Sequence, residues 1–444
     1  MQPTRITHVT KRNGQQVPFD QERITFAIYK AAASVGGTNM RRTRRLTERV
    51  VMHVEDRFAK GDAPLVEIIQ DIIEEILITA GHVATARSFI VYRENRRAAR
   101  EQAKGASRAA HGPTPYRVLW DMLTWNVEHN CYSLPGVGTQ IENGSIGTLI
   151  ADSEDRFARE LDAVAEQIAE KRDTIRLIVV AGPSSSGKTT TTDRLSARLL
   201  KRGLTTVPIN VDNYFRDLAY QPRDERGDYD YETPEAIDLP LLNEHLERLL
   251  EGETVDSPQF DFMTGCRLPT TVPLKVGTGQ LALIDTLHGM YKGLTVHIPE
   301  EKKYKIYIEA LVQQLDGQDQ WIRATDLRLL RRMARDRVHR NKTPFETLDH
   351  WHYVRRSEKK HILPYVGDAN FVLNGSFSYE IPLYRKLLFD YLPQYLEHKD
   401  ANQDGLERAT RLISILENLP ELSDHEAIPG DSIVREFIGN GFLT

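Results

Sequence analysis

The stretch Gly182-Pro183-Ser184-Ser185-Ser186-Gly187-Lys188-Thr189 fits G-x-x-x-x-G-K-[ST], and it narrows the fold more than any other feature of the chain. Before it, Ile175-Arg176-Leu177-Ile178-Val179-Val180 is a short, nearly continuous apolar run that reads as a buried parallel strand. After it, Leu195, Leu199 and Leu200 fall at helical spacing, and Gly203 is placed to end the helix. A glycine-rich loop between strand and helix turns successive backbone N–H groups toward one phosphate chain, and the helix N-terminus adds partial positive charge. Lys188 then reaches the outer phosphates of ATP, and the Thr189 hydroxyl is placed to hold Mg²⁺. Gly182 through Thr190 are the expected nucleotide-binding residues.

A chain of 444 residues suggests two or three domains and has ample length for a large core. Lys plus Arg number 58 against 63 Asp plus Glu, a formal net charge of −5, which gives no support to bulk nucleic-acid binding. The two cysteines, Cys131 and Cys266, make neither a zinc set nor a disulfide framework, so a cytoplasmic location is expected. Met1 to Gly14 is polar and basic, unlike a secretory signal, and no apolar run is long enough to span a bilayer.

Residues 1–97 read as a first domain. His8 to Phe19 contains two short strands around Asn13-Gly14, a hairpin signal. Asp20 is placed as an N-cap, with Phe19 and Ile24 as a hydrophobic staple. Ile24, Ala27, Ile28 and Ala31 begin a helix, and Leu46, Val50, Val54 and Phe58 mark a second. A third opens near Pro64 and closes at Gly81, and a fourth spans about Val83 to Arg97. This module resembles the ATP-cone, a nucleotide-sensing domain at the front of many ribonucleotide reductases. The resemblance rests on Val9-x-Lys11-Arg12-Asn13-Gly14, Phe19-Asp20, Arg23-Ile24-x-x-Ala27-Ile28 and Ala86 through Arg93. It implies that Val9, Lys11, Arg12 and Asn13 help bind a regulatory adenine nucleotide, ATP or dATP. Adjacent cations on a hairpin suit phosphates, although a solvated basic turn has the same composition.

Residues 98–170 read as a linker and helical connector. Leu134-Pro135-Gly136-Val137-Gly138 and Asn143 to Gly147 read as turns, and Asp152 to Lys171 as a charged helix. In residues 171–444 strands alternate with helices, the sign of a parallel sheet covered by helices on both faces. The expected strands are Arg176–Ala181, Thr205–Val211, Leu281–Ile284, Tyr304–Ile308 and Asn370–Leu373. Ligands of such a sheet sit at the carboxyl ends of its strands. Asp212 and Asp285 each close a strand and are candidate metal or catalytic acids, where a lone strand-end carboxylate would be merely solvated. Glu232 is a third candidate, with helix capping as its other explanation. Arg328, Arg331, Arg332 and Arg335 share one helix face, either a solvated stripe or a lid whose guanidinium groups neutralise a phosphoryl group in transit. Thr343-Pro344-Phe345-Glu346 is a capping box opening the helix that ends at Arg355-Arg356.

This segment resembles the uridine kinase and phosphoribulokinase family. The matching pieces are Gly182 to Thr190, Val211 to Phe215, Arg223-Asp224-Glu225 through Ala236-Ile237-Asp238, and Phe260-Asp261-Phe262. Further on are Asp326 to Arg332 with Arg335-Asp336, Val354-Arg355-Arg356, and the tail from Ser432 to Gly439. The resemblance implies an α/β P-loop kinase domain, joined here to a small α+β cone. It implies that Asp212 is the general base and touches Mg²⁺, that Asp285 helps coordinate the metal, and that Arg328 and Arg332 act at the transfer. It places Phe215, Tyr231, Glu232 and Phe260 at the acceptor, with Arg355 as a further contact. Phe215 and Phe260 stand where uridine–cytidine kinases carry tyrosines, and the histidine that reads the pyrimidine has no clear equivalent, since Gly265 falls near its position.

The resulting expectation is an ATP- and Mg²⁺-dependent phosphotransferase acting on a nucleoside 5′-hydroxyl and regulated at the cone. It is expected to be a homo-oligomer with no nucleic-acid or membrane partner. A kinase for a sugar phosphate or small organic acid is the alternative within enzymes. A non-catalytic nucleotide-sensing regulator is the alternative of another class.

Overall fold

In the parallel sheet at the centre of the larger unit, alternate residues of one strand face opposite cores. In β3 (Leu177–Ala181), Ile178 and Val180 join one hydrophobic cluster, while Leu177 and Val179 join another. Both faces are covered, so the strand is apolar at every position. The computed structural model describes residues 6–10, 16–37, 39–58, 63–91, 115–223, 227, 229–340, 342–422 and 425–441. The chain divides into two units, residues 1–109 and 110–444.

In the smaller unit, β1 (His8–Thr10) pairs antiparallel with β2 (Gln16–Pro18), Val9 opposite Val17. The expected turn at Asn13-Gly14 lies outside the described residues. Helix α1 (Gln21–Ala33) starts at Asp20, whose carboxylate accepts from the Glu22 amide at 3.0 Å. Helices α2 (Met40–Arg57), α3 (Val66–Thr79) and α4 (residues 83–91) follow. Ile28, Val50, Val54, Ile72, Ile76 and Phe89 close a separate core.

The larger unit begins with α5 (Tyr116–Glu128), α6 (Leu134–Glu142) and α7 (Ile146–Glu170). Helix α6 stands where a turn was expected. Ser133 caps it, accepting from the Gly136 amide at 3.4 Å, and Pro135 occupies its first turn. The glycines serve close packing: Gly138 lies against Pro420, and a side chain at Gly136 would strike the Asn130 carbonyl. Helix α7 buries Phe157, Leu161, Val164 and Ile168 in the same core as the sheet.

Five parallel strands lie in the order β11-β10-β3-β9-β4, with β4 (Thr205–Ile209), β9 (Gln280–Thr286), β10 (Lys303–Glu309) and β11 (Phe371–Asn374) flanking β3. These are the five strands the alternating pattern predicts, shifted by a residue or two at their ends. Helix α8 (Lys188–Lys201) follows β3, and α9 (Leu239–Leu250) packs Leu242, Leu246 and Leu249 on the opposite face. Two short hairpins, β5 (Thr254–Ser257) with β8 (Val272–Lys275) and β6 (Phe260–Asp261) with β7 (Cys266–Arg267), precede β9. Helices α10 (Ala324–His339), α11 (Pro344–Ser357), α12 (Ile381–Leu388), α13 (Tyr391–Leu396), α14 (Gln403–Leu416) and α15 (Arg435–Ile438) complete the unit. The capping box of α11 forms as expected. Among the described residues, no helix is long and apolar enough to cross a membrane.

Candidate active site

The loop from Gly182 to Gly187 leaves the carboxyl end of β3 and enters α8 at Lys188. Gly187 has φ +91°, and a side chain there would collide with Ile433 of the C-terminal segment. Gly182 lies so close to the Ile308 carbonyl that a Cβ would overlap it. Ser185 takes φ +60° without being glycine. Its hydroxyl and that of Ser186 are buried with no partner, as expected of groups awaiting an anionic ligand.

Lys188, Asp285, Asp212 and Thr189 converge at this end of the sheet. The Thr189 hydroxyl donates to Asp285 Oδ2 at 3.0 Å, and Lys188 Nζ donates to the Pro183 carbonyl at 3.3 Å. The Val180–Asp285 register of β3 and β9 sets Asp285 beside the loop. Burial pushes the Asp285 carboxyl up to about 6, against the pull of Lys188 and Thr189. Burial also lowers Lys188, opposed by Asp285 and Glu436. Asp212, on the turn after β4, is solvent-exposed at its surface yet ringed by protein. That surrounding raises its carboxyl, while Lys188 and Arg340 draw it back down.

The donor set fits Mg²⁺. Asp285 Oδ1 is buried without a hydrogen-bond partner, beside a hydroxyl held by the other oxygen. Mg²⁺ takes few protein oxygens and fills its shell with water and phosphate, so the lack of a three-ligand cluster among the described residues is consistent with it.

The arginine row departs from both expectations, the solvated stripe and the free lid. Arg328 and Arg331 are fully buried. Both terminal nitrogens of the Arg328 guanidinium bind Glu358, and its Nη1 also donates to the Ser184 carbonyl at 3.1 Å. Arg331 pairs with Glu380 at 2.8 Å and donates to the Ser185, Ser186 and Gly375 carbonyls. These two side chains buttress the back of the loop and present no free charge to a phosphate, which corrects the expectation for Arg328. Arg332 and Arg335 are the partly open members. Arg332 Nη1 donates to Ser184 Oγ at 2.8 Å. Burial, with Arg340 and Arg332 nearby, brings Arg335 down to about 10.

The sequence reading assigned no role to the acids that organise these groups. Glu358 and Glu380 fix the buried arginines, and Glu436 reaches in from α15 to accept from Thr190 Oγ1 at 3.1 Å. The tail motif from Ser432 to Gly439 was the one available signal for Glu436.

Phe215, Phe260 and Phe262 form an aromatic group beside Asp212, with centroids 5.0 to 5.7 Å apart. Asn213 ties the group to the turn through the Phe260 amide at 3.3 Å. Glu232 lies between His350 and Arg332. Its burial raises the carboxyl, but the His350 imidazole, 3.9 Å away, and the Arg332 charge outweigh that and leave it below its ordinary value. Tyr231 lies beside Tyr229, ring centroids 6.0 Å apart, and among the described residues no ring contact joins it to the phenylalanines. Arg355 pairs with Glu358. In the smaller unit Val9 is buried in the core, and Lys11, Arg12 and Asn13 lie outside the described residues. A cavity of about 710 Å³ among α5, α6 and α7 and one of about 430 Å³ between α11 and α14 include none of Lys188, Asp212 or Asp285 in their walls.

Residues 7–98 match the ATP cone domain, and residues 177–376 match the phosphoribulokinase / uridine kinase family. The chain is 31% identical over 180 residues to a uridine kinase of Deinococcus deserti, covering 40% of this chain and 77% of that protein. It is 29% identical over 168 residues to a uridine kinase of Chloroflexus aurantiacus, covering 38% of this chain and 70% of that protein. Over 102 residues, 22% of this chain, it is 43% identical to a vitamin B12-dependent ribonucleoside-diphosphate reductase of Thermoplasma acidophilum, of which the match spans 13%.

Proposed function

The chain belongs to the phosphoribulokinase / uridine kinase family and carries an ATP cone domain, and we propose that it phosphorylates the 5′-hydroxyl of a nucleoside with ATP. The observation that carries this reading is the convergence of Lys188, Thr189, Asp285 and Asp212 at one end of the sheet. The loop amides and Lys188 hold the phosphates, and Thr189 with Asp285 holds Mg²⁺. The metal, when bound, supplies charge neutralisation across the outer phosphates. Asp212 orients the acceptor hydroxyl and takes its proton. Arg332 and Arg335 offset charge on the transferring group, while Arg328 and Arg331 keep the loop in shape. Catalysis of this kind is mostly positioning and charge neutralisation.

The aromatic group of Phe215, Phe260 and Phe262 supports an acceptor with a flat ring, and in this reading Glu232 accepts from its sugar hydroxyls. The phenylalanines offer no hydroxyl to a base, so selection among bases is expected to be weak. A second reading, a kinase for an anionic acceptor, is favoured by Arg356, which lies 3.9 Å from Asp230, two residues before Glu232. In either case an adenine nucleotide at the cone adjusts activity, through assembly of the chain into oligomers.

The decisive test is Asp212→Asn. Turnover should fall about 10²- to 10⁴-fold, the range for loss of a general base, with ATP affinity nearly unchanged. Near-normal turnover would remove Asp212 from the chemistry. A panel of nucleosides, sugar phosphates and small acids, each scored by ADP release, separates the two acceptor readings. Sedimentation and turnover with ATP and with dATP test the cone.

A further inference from the structure

A concave surface of about 430 Å³ lies between the end of α11 and α14, and its walls include Arg355, Arg356, Lys359, Lys360 and Arg408. Five cations line it together with Asp404 and His352; Arg355 pairs with Glu358 and Arg356 lies 3.9 Å from Asp230, while Lys359 and Lys360 stand exposed at its mouth. The Asp404 carboxylate is already taken by Arg408, through contacts of 2.7 and 2.8 Å. Cations in the last turn of α11 are explained by the helix dipole. Arg408 sits in the N-terminal half of α14, where the dipole disfavours a cation, and is held there by Asp404. Two elements thus bring five cationic side chains to one hollow, where an anion would offset the charge of the exposed Lys359 and Lys360.

The backbone makes the arrangement specific. After α11 the chain takes a π-helical turn, Glu358–Ile362, a rare form that often marks functional positions. The turn points Glu358 inward, where it is 2% exposed, and leaves Lys359 and Lys360 at the surface. Glu358 joins the hollow to the nucleotide loop. It pairs with Arg355 on one side and with Arg328 on the other, and Arg328 donates to the Ser184 carbonyl at 3.1 Å.

We propose that this hollow is a second anion site, for a small molecule carrying a phosphate group, and that Arg355, Glu358 and Arg328 couple it to the nucleotide loop. An anion held by the lysines competes with Glu358 for Arg355. Glu358 then leans more fully on Arg328, which holds the Ser184 carbonyl. Binding at one site therefore changes affinity at the other, by a factor of about 5 to 150 if the coupling is of ordinary size. The phosphate belongs either to the phosphoryl acceptor itself or to a separate effector.

The test uses the full chain with its nucleotide sites saturated by a non-hydrolysable ATP analogue and Mg²⁺, titrated calorimetrically with inorganic pyrophosphate. The Lys359→Ala/Lys360→Ala double variant removes two exposed charges and none of the Arg355, Glu358 or Arg328 contacts. One binding event, weakened at least tenfold in the variant and weakened by added salt, supports the site. Absent binding, or binding equal in the two proteins, overturns it. A KM that rises in the variant for a phosphorylated acceptor only assigns the phosphate to the acceptor. A pyrophosphate-dependent shift in ATP affinity, lost in the variant with acceptor KM unchanged, assigns it to an effector. Failure of the kinase reading would show separately, as no ATP turnover with any acceptor.

Discussion

Glu436 Oε2 accepts the Thr190 hydroxyl at 3.1 Å, which places a carboxylate from the C-terminal segment against the helix turn that begins with Lys188. Its other oxygen lies 3.8 Å from Arg335. The segment is pinned on several sides. Ser432 binds Glu154, Arg194 reaches Asp431, and Phe437 lies under Arg331 at 4.9 Å. A side chain held this firmly fixes the direction of Arg335. Glu436→Gln keeps a hydrogen-bond acceptor for Thr190 and removes the charge beside Arg335. Turnover should fall about tenfold while the KM for ATP moves less than about threefold, the pattern of an interaction that matters most in the transition state. A raised KM for ATP with turnover unchanged would mean that Glu436 serves binding alone.

Arg331 and Glu380 form an ion pair sealed from water, and Glu380 also accepts from Tyr384 and from the Phe377 amide. Removing one partner of such a pair leaves an uncompensated buried charge, at a cost of about 3–5 kcal/mol. Glu380→Gln should lower the denaturation midpoint accordingly in urea or heat. Because Arg331 also braces the Ser185 and Ser186 carbonyls, ATP affinity should fall in the variant that still folds. A stable variant with unchanged ATP affinity would deny the brace.

In the proposed reading Mg²⁺ is held by the Thr189 hydroxyl and by Asp285, whose Oδ1 is buried without a hydrogen-bond partner. Thr189→Val keeps the side-chain volume and removes the hydroxyl. The Mg²⁺ concentration for half-maximal turnover should rise, measured at saturating ATP, with the fold intact by circular dichroism. An unchanged Mg²⁺ requirement would place the metal elsewhere.

Most of the larger unit was legible because its signals are local. Apolar strands beside Leu-rich helices place all five strands, and the glycine-rich loop names its own partners. The loop motif was legible down to Thr189 because its spacing is dictated by phosphate geometry. What escaped reading depends on partners distant in sequence. The arginines of α10 repeat at the spacing of a solvated face, and nothing near them marks Glu358 or Glu380, 30 and 49 residues beyond the arginines they bind. The glycines of α6 predict a turn because glycine is ordinarily a helix breaker. There the Ser133 cap and the tight approach to Pro420 and Asn130 overrule propensity.

The two cysteines give a check on the packing of the connector helices that needs no substrate. Cys131 is fully buried, and burial pushes its thiol up to about 12. Cys266 is exposed on the β7 strand. Only the thiolate is nucleophilic, so at pH 8 an alkylating reagent should modify Cys266 and leave Cys131 untouched. Since burial raises the Cys131 thiol, moving from pH 7 to pH 9 should leave its labelling slow. Denaturant should release the second equivalent. Peptide mass mapping reads the outcome directly. Prompt labelling of Cys131 in the native protein would mean that α5 and α6 do not close over the core as described.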